Sequence, residues 1–209
     1  MRRLFSTDSP IMTALSSFAD LMLVNLLMLL TSLPVATAGA AIAAGFCLTR
    51  SIGEGTLAHP VRSFFRAFRE NFRQATLLWI PCLGLLAGLV WDIWLLQPLL
   101  SAQAYRGALV LLAGLLVLVV GMWIYLLLLI TGFENSLAAH VKNAMLLFFR
   151  ELPLSVLLAA MNGLPFLLAL VSPRIFLQTA VVWVGFGFAL ILLLDNLMLK
   201  KLRKRLEQP

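Results

Sequence analysis

The sequence predicts an all-helical, polytopic transmembrane bundle of six spans, with five as the alternative. Three observations carry this reading. The 209-residue chain is 62% hydrophobic and only 12% charged, whereas soluble domains run near a quarter charged. The run from Ala108 to Ile130 holds no charged residue, so a helix there has no polar face for water and is long enough to cross a bilayer. Lys and Arg sit where the apolar runs end, which is how orientation in a membrane is encoded.

Residues 1–9 are a basic and polar lead to the first span, 11–33. That run contains Asp20 and Asn25 and is too long for the core of a cleavable signal, so the N-terminus is expected to stay attached. Ser32-Leu33-Pro34 ends it, because proline removes a donor and pushes its predecessor out of the α region; Pro34 is the helix break. The second span, 35–49, is short and rich in small residues. Ala36, Ala40 and Ala44 repeat at four-residue spacing, which allows close helix packing in lipid. Arg50 to His59 reads as a polar turn.

Residues 61–73, VRSFFRAFRENFR, read as a separate interfacial helix. On a helical wheel Arg62, Arg66, Arg69 and Arg73 share one face, and Val61, Phe65, Phe68 and Phe72 form a stripe about 100° away. Such a helix lies flat at a membrane, rings in the acyl boundary and guanidinium groups among anionic lipid headgroups. The third span, 77–96, carries Gly84 and Gly88 in GxxxG spacing, a packing motif, with Trp91, Asp92 and Trp94 toward its far end. The fourth span covers 108–131. A second interfacial helix, about 136–150, bears Lys142 and Arg150, which join the first as a surface for lipid or for a docking partner. Spans five and six, 153–171 and 175–199, lead to the basic tail KKLRKRLEQP. The whole is a single membrane domain.

Six spans put both termini on one side. Of the 16 Lys and Arg residues, all but Arg106 and Arg174 then fall on the cytoplasmic side; a single kinked helix over 20–49 would instead move Arg2 and Arg3 outside. An internal echo supports the cytoplasmic assignment of the two basic connectors. His59 and His140 lie 81 residues apart, as do Phe68-Arg69-Glu70 and Phe149-Arg150-Glu151, and each copy precedes a helical hairpin.

The net charge of +7 is accounted for by topology, and no nucleic-acid-reading module accompanies it. Cys47 and Cys82 lack metal-type spacing and read as small buried residues. His59 and His140 are the only histidines, and no HExxH, nucleophile elbow or P-loop is present, so no enzyme activity, metal or cofactor is expected. Asn25 and Asn162 lie at membrane depth and need interhelical partners. Asp92, Glu134 and Asp195 fall near predicted helix ends, where water can reach them.

NLLMLLTSLPVATAGAAIAA followed by SFFRAFRENFRQATLL resembles the opening of the YesL family, bacterial integral membrane proteins with a shared domain of unknown function. Asn25, Pro34, Thr37, Ala44, Arg50, Phe65, Phe68, Asn71 and Phe72 carry that likeness. GFENSLAAHVKNAMLLFFRELPLSVLL resembles the family's second block through Phe133, Asn135, Lys142, Asn143, Ala144 and Pro153. Ala40 departs from it, since many relatives have Pro there. The resemblance implies a protein of the bacterial inner membrane near carbohydrate uptake, acting as an accessory or assembly partner, with a sugar ABC importer subunit as the partner. A small solute transporter and a structural membrane protein are the other readings.

Overall fold

A computed structural model describes residues 10–207, which contain helices and no strand; Arg2, Arg3 and the last two residues lie outside the described residues. The helices are α1 (Pro10–Thr31), α2 (Ala38–Glu54), α3 (Pro60–Leu96), α4 (Ala102–Gly132), α5 (Leu137–Arg150), α6 (Leu152–Val171), α7 (Pro173–Gln178), α8 (Ala180–Val182) and α9 (Phe188–Glu207). Six helical stretches are long and apolar enough to cross a membrane: Ile11–Thr31, Val35–Glu54, Pro60–Leu96, Ala102–Gly132, Leu152–Ala169 and Ala180–Glu207. The fold is that of a multi-pass helical membrane protein.

α2 is the centre. Nine of its 17 residues are buried, including Ala40 and Ala44, and it packs against α1, α3 and α9. Small side chains permit this: a Cβ on Gly39 would collide with Trp79 of α3 and come within 3.1 Å of the Ala75 carbonyl oxygen. Trp79 then donates its indole N–H to the Val35 carbonyl at 2.8 Å, tying α3 to the short 3₁₀ turn, Val35–Thr37, that follows Pro34. Gly55 closes α2 in the left-handed region (φ 68°), with the Thr56 N–H reaching back to the Ser51 carbonyl, a terminus that glycine adopts without strain.

Several boundaries differ from the sequence reading. The expected surface helix over 61–73 is not a separate element; it is the first half of α3, a single helix of 37 residues. Pro60 starts that helix, and no breaker stands between Arg73 and Leu77, so the hydrogen-bond ladder continues into the span. Within that half Phe64 and Ala67 are enclosed, while Val61, Phe65 and Phe72 stay exposed. α2 runs on to Glu54, past the polar turn expected from Arg50. The sixth span does not begin at 175. α7 is a short piece, Thr179 interrupts it, and the crossing helix covers Ala180–Glu207, well beyond 199.

Two packing expectations fail within the chain. Gly84 and Gly88 face open space, with nothing within 4 Å of a Cβ at either, and Ala36 is exposed in the 3₁₀ turn. The outer half of α3 has left the bundle by that point. The echo between residues 59–70 and 140–151 also ends abruptly. After Glu70 the first copy stays helical, whereas Glu151 leaves the helical region (φ −110°, ψ 43°) and Pro153 opens α6.

Candidate functional site

The most polar part of the described interior is a seam along α8 and α9. Asn25, fully buried, donates from Nδ2 to the carbonyls of Trp183 (3.0 Å) and Val184 (2.8 Å) and accepts the Ala189 N–H at Oδ1 (2.9 Å). The two carbonyls belong to Trp183–Gly187, a single π turn between α8 and α9, and the Ala189 N–H to the first turn of α9. A π turn loosens the regular i→i−4 ladder, and one amide side chain here replaces the missing partners. Asn25 therefore braces backbone.

About two turns further along, α9 presents two buried polar side chains to different neighbours. Asp195 is fully buried and accepts from Asn162 of α6 at 2.9 Å through Oδ2, while its Oδ1 has no partner. The expectation that water reaches Asp195 at a helix end is corrected: α9 extends twelve residues past it, and α6 covers it. Asn196 points toward α2, donating to the carbonyl of Phe46 (3.0 Å) and the hydroxyl of Thr49 (3.1 Å) as well as to Leu192 (3.0 Å), and its Oδ1 is unpartnered. Below it Arg203, nearly buried, pairs with Glu54 of α2 and reaches Glu207 at 3.7 Å.

A second polar junction fastens α4, α5 and α6. The Ser155 hydroxyl meets the Tyr125 hydroxyl at 3.0 Å and donates toward the Phe148 carbonyl at 2.8 Å. This closes the corner where Glu151 leaves the helix. His140 of α5 is fully buried with both ring nitrogens unpartnered, and burial holds its imidazole below its ordinary pKa.

The basic and aromatic residues read from the sequence lie apart from these seams. Arg62, Phe65, Arg66, Arg69, Phe72 and Arg73 are exposed along the first half of α3, and Lys142 and Arg150 along α5. Phe68 is half-buried, its ring 5.5 Å from that of Phe72 and 6.3 Å from that of Phe64. On α5 the uncovered face also carries Met145, Leu146 and Phe149, each about half exposed or more. Asn25 and Asn162 are both paired inside, each through a bond invisible in the sequence. Among the described residues no three His, Cys, Asp or Glu side chains gather as metal ligands, and Cys47 and Cys82 are free thiols.

Three parts of this interior carry weak sequence signals. Asp195-Asn196 is a polar pair inside an apolar run, and Tyr125 is the lone hydroxyl-bearing ring in a charge-free one. The π turn coincides with the glycine-flanked stretch Trp183-Val184-Gly185-Phe186-Gly187. The Arg203–Glu54 pair, 149 residues apart, has no signal short of the fold.

No curated protein and no solved structure matches the chain. Over residues 21–93, which take in the second half of α1, all of α2 and nearly all of α3, the chain matches the family model described as a protein of unknown function, DUF624.

Proposed function

We propose that this chain is a non-enzymatic accessory protein of the bacterial inner membrane, related to the YesL family, with both termini in the cytoplasm. In this reading it assembles with a carbohydrate importer of the ABC type through its basic, aromatic surface. The observation that carries the proposal is the uncovered face of α5 and of the first half of α3. Both segments bury one side against the bundle, and both leave large apolar side chains open beside Arg and Lys. Apolar anchors within a charged rim suit a protein partner at the membrane surface. Purification of the tagged chain in mild detergent should then bring down a permease or ATPase subunit, and Arg62→Glu with Arg66→Glu and Phe149→Ala should release it. Repeated isolation of the chain alone, with solute flux in proteoliposomes, refutes the accessory role.

That second outcome would favour a small transporter. One observation supports it: the unpartnered Oδ1 of Asp195, an ionisable group inside the bundle, where such residues mark solute or ion paths. Asn25 does not add to it, since both its donors and its acceptor are spent on the π turn.

A further inference from the structure

Among the described residues, Asp195 is the only acidic side chain that is buried. It lies near the middle of the crossing stretch Ala180–Glu207, and its partner Asn162 lies near the middle of Leu152–Ala169. Polar groups at that depth of a bilayer must be matched within the protein. The face of α9 that carries Asp195 is otherwise apolar, since Leu192, Leu199 and Leu202 share it and all are buried. On α6, Leu158 sits one turn before Asn162 and is buried as well.

No cation answers this carboxyl. Among the described residues Asp195 has no ion pair. α9 packs against α1, α2, α6 and the π turn. α6 and the π turn carry no titratable side chain. α1 offers Asp20, a second acid, and α2 offers Cys47, Arg50 and Glu54. Arg50 and Glu54 line a narrow cleft with Asn196, Lys200 and Arg203 of α9. Lys200 and Arg203 follow Asn196 by four and seven residues and so share its face, turned about 100° from that of Asp195. Lys201, Lys204 and Arg205 are exposed.

Asn162 decides which carboxyl oxygen is which. Its Nδ2 donates to the Leu158 carbonyl at 3.0 Å and to Asp195 Oδ2 at 2.9 Å. Both amide hydrogens are thereby spent, and Oδ2 is held as an acceptor. Oδ1 is left without a partner. An ionised carboxylate here would keep a full charge in apolar surroundings against a single neutral hydrogen bond. A proton on Oδ1 removes that charge, and an unbonded hydroxyl costs far less than an unpaired carboxylate at the same depth. We propose that Asp195 Oδ1 is a proton-binding site, at which the folded chain holds one exchangeable proton at neutral pH. Oδ2 is then the carbonyl oxygen of a neutral acid, facing Asn162. Release of the proton places a charge in the seam between α6 and α9. The inference rests on neither the accessory nor the transport role, and the site is a property of the chain in both.

Infrared spectroscopy of the full chain tests it, in a maltoside detergent that has no ester carbonyl. At pH 7 an ordinary aspartate, with a pKa of about 3.9, is protonated in roughly one chain per thousand. A carboxylic-acid carbonyl band from a large share of the chains is therefore an increase of several hundredfold. Asp195→Asn should abolish that band, and Asp92→Asn, on the exposed outer end of α3, should leave it. Asn162→Leu should keep the band but move it to higher frequency, because Oδ2 loses the N–H that lowers the carbonyl stretch. A purely packing role for Asn162 would not move it, and an unmoved band overturns the assignment of the two oxygens. Raising the pH should remove the band from the native chain with release of one proton. Absence of the band from the native chain at pH 7 overturns the proposal whatever the variants do, and so does a band that survives in Asp195→Asn. A proton released by sodium but not by choline at equal ionic strength would give the site to a metal cation and overturn it too.

Discussion

Replacing Asn25 by Leu tests whether one side chain holds the last crossing helix in its observed shape. The amide makes three bonds, to the Trp183 and Val184 carbonyls and from the Ala189 N–H, and Leu makes none. Interhelical hydrogen bonds within membranes average about 0.6 kcal/mol, with a maximum near 1.7. Three of them lost outright give a range of about 2 to 5 kcal/mol. Some of this is recoverable. The freed Ala189 N–H can close on the Val184 carbonyl, five residues back, which completes a π-type bond and leaves the Trp183 carbonyl the main orphan. The expected loss is therefore about 2 kcal/mol, read by reversible unfolding in mixed micelles. Hydrogen exchange at the Ala189 amide should accelerate in the same variant. Asn25→Asp keeps the volume and the acceptor but turns an oxygen toward two carbonyl oxygens, so at alkaline pH it should lie below Asn25→Leu. A loss under about 0.5 kcal/mol for Leu, with exchange at Ala189 unchanged, refutes the bracing role.

Other substitutions separate the packed face of the bundle from the open one. Gly39→Ala drives a methyl into Trp79 and toward the Ala75 carbonyl and should cost about 1–3 kcal/mol of unfolding free energy. Gly84→Ala and Gly88→Ala meet nothing, so the same assay should register no loss, or a gain of up to about 1 kcal/mol each from helix propensity. Asp195→Leu strips the Asn162 amide of its α9 partner and should destabilise by about 1 kcal/mol, whereas Asp195→Asn, which can still accept that bond, should not. For His140 burial holds the folded pKa below the ordinary histidine value of about 6.5, so the unfolded chain takes up a proton that the folded chain refuses. Its contribution to stability is thus lost as pH falls from about 6.5 toward the lower folded value, at no more than about 1.4 kcal/mol per pH unit. His140→Phe should flatten that limb of the stability–pH curve.

The helical class and the number of crossings are legible because they follow from composition and run length, which lipid constrains directly. Pro34 could be placed because its effect on the chain is local. What the sequence hides is which face of a helix turns inward. In the first half of α3, Phe64 and Ala67 are enclosed while Phe65 and Phe72 stay open; α3 packs mainly on α2, and that neighbour is assigned only by the fold. Gly84 and Gly88 misled for a related reason. GxxxG describes what a helix can allow, and a partner must still be within reach. Asn25 and Asn162 could be picked out as needing partners, but those partners lie 158 and 33 residues away respectively, and only the fold brings them together.

The continuity of α3 changes how the basic segment can work. A helix of 37 residues is about 55 Å long at the standard rise, against a hydrocarbon core of about 30 Å. The surplus cannot sit in lipid at any moderate tilt, and the arginines decide which end stays out, since Arg62, Arg66, Arg69 and Arg73 all fall in the first four turns. A flat surface helix would need a bend near Arg73 to free its aromatic face for the acyl boundary. The helical run through Arg73, with Pro81 the first residue to interrupt its hydrogen-bond ladder, and the burial of Phe64 oppose that bend. The first half of α3 therefore stands beside α2 as a rigid extension of the bundle. Held upright, its exposed Phe65 and Phe72 rise with the arginines out of the hydrocarbon, where a flat helix would have spent them on lipid. For the partner-docking role proposed above, that geometry leaves Phe65 and Phe72 available as apolar anchors.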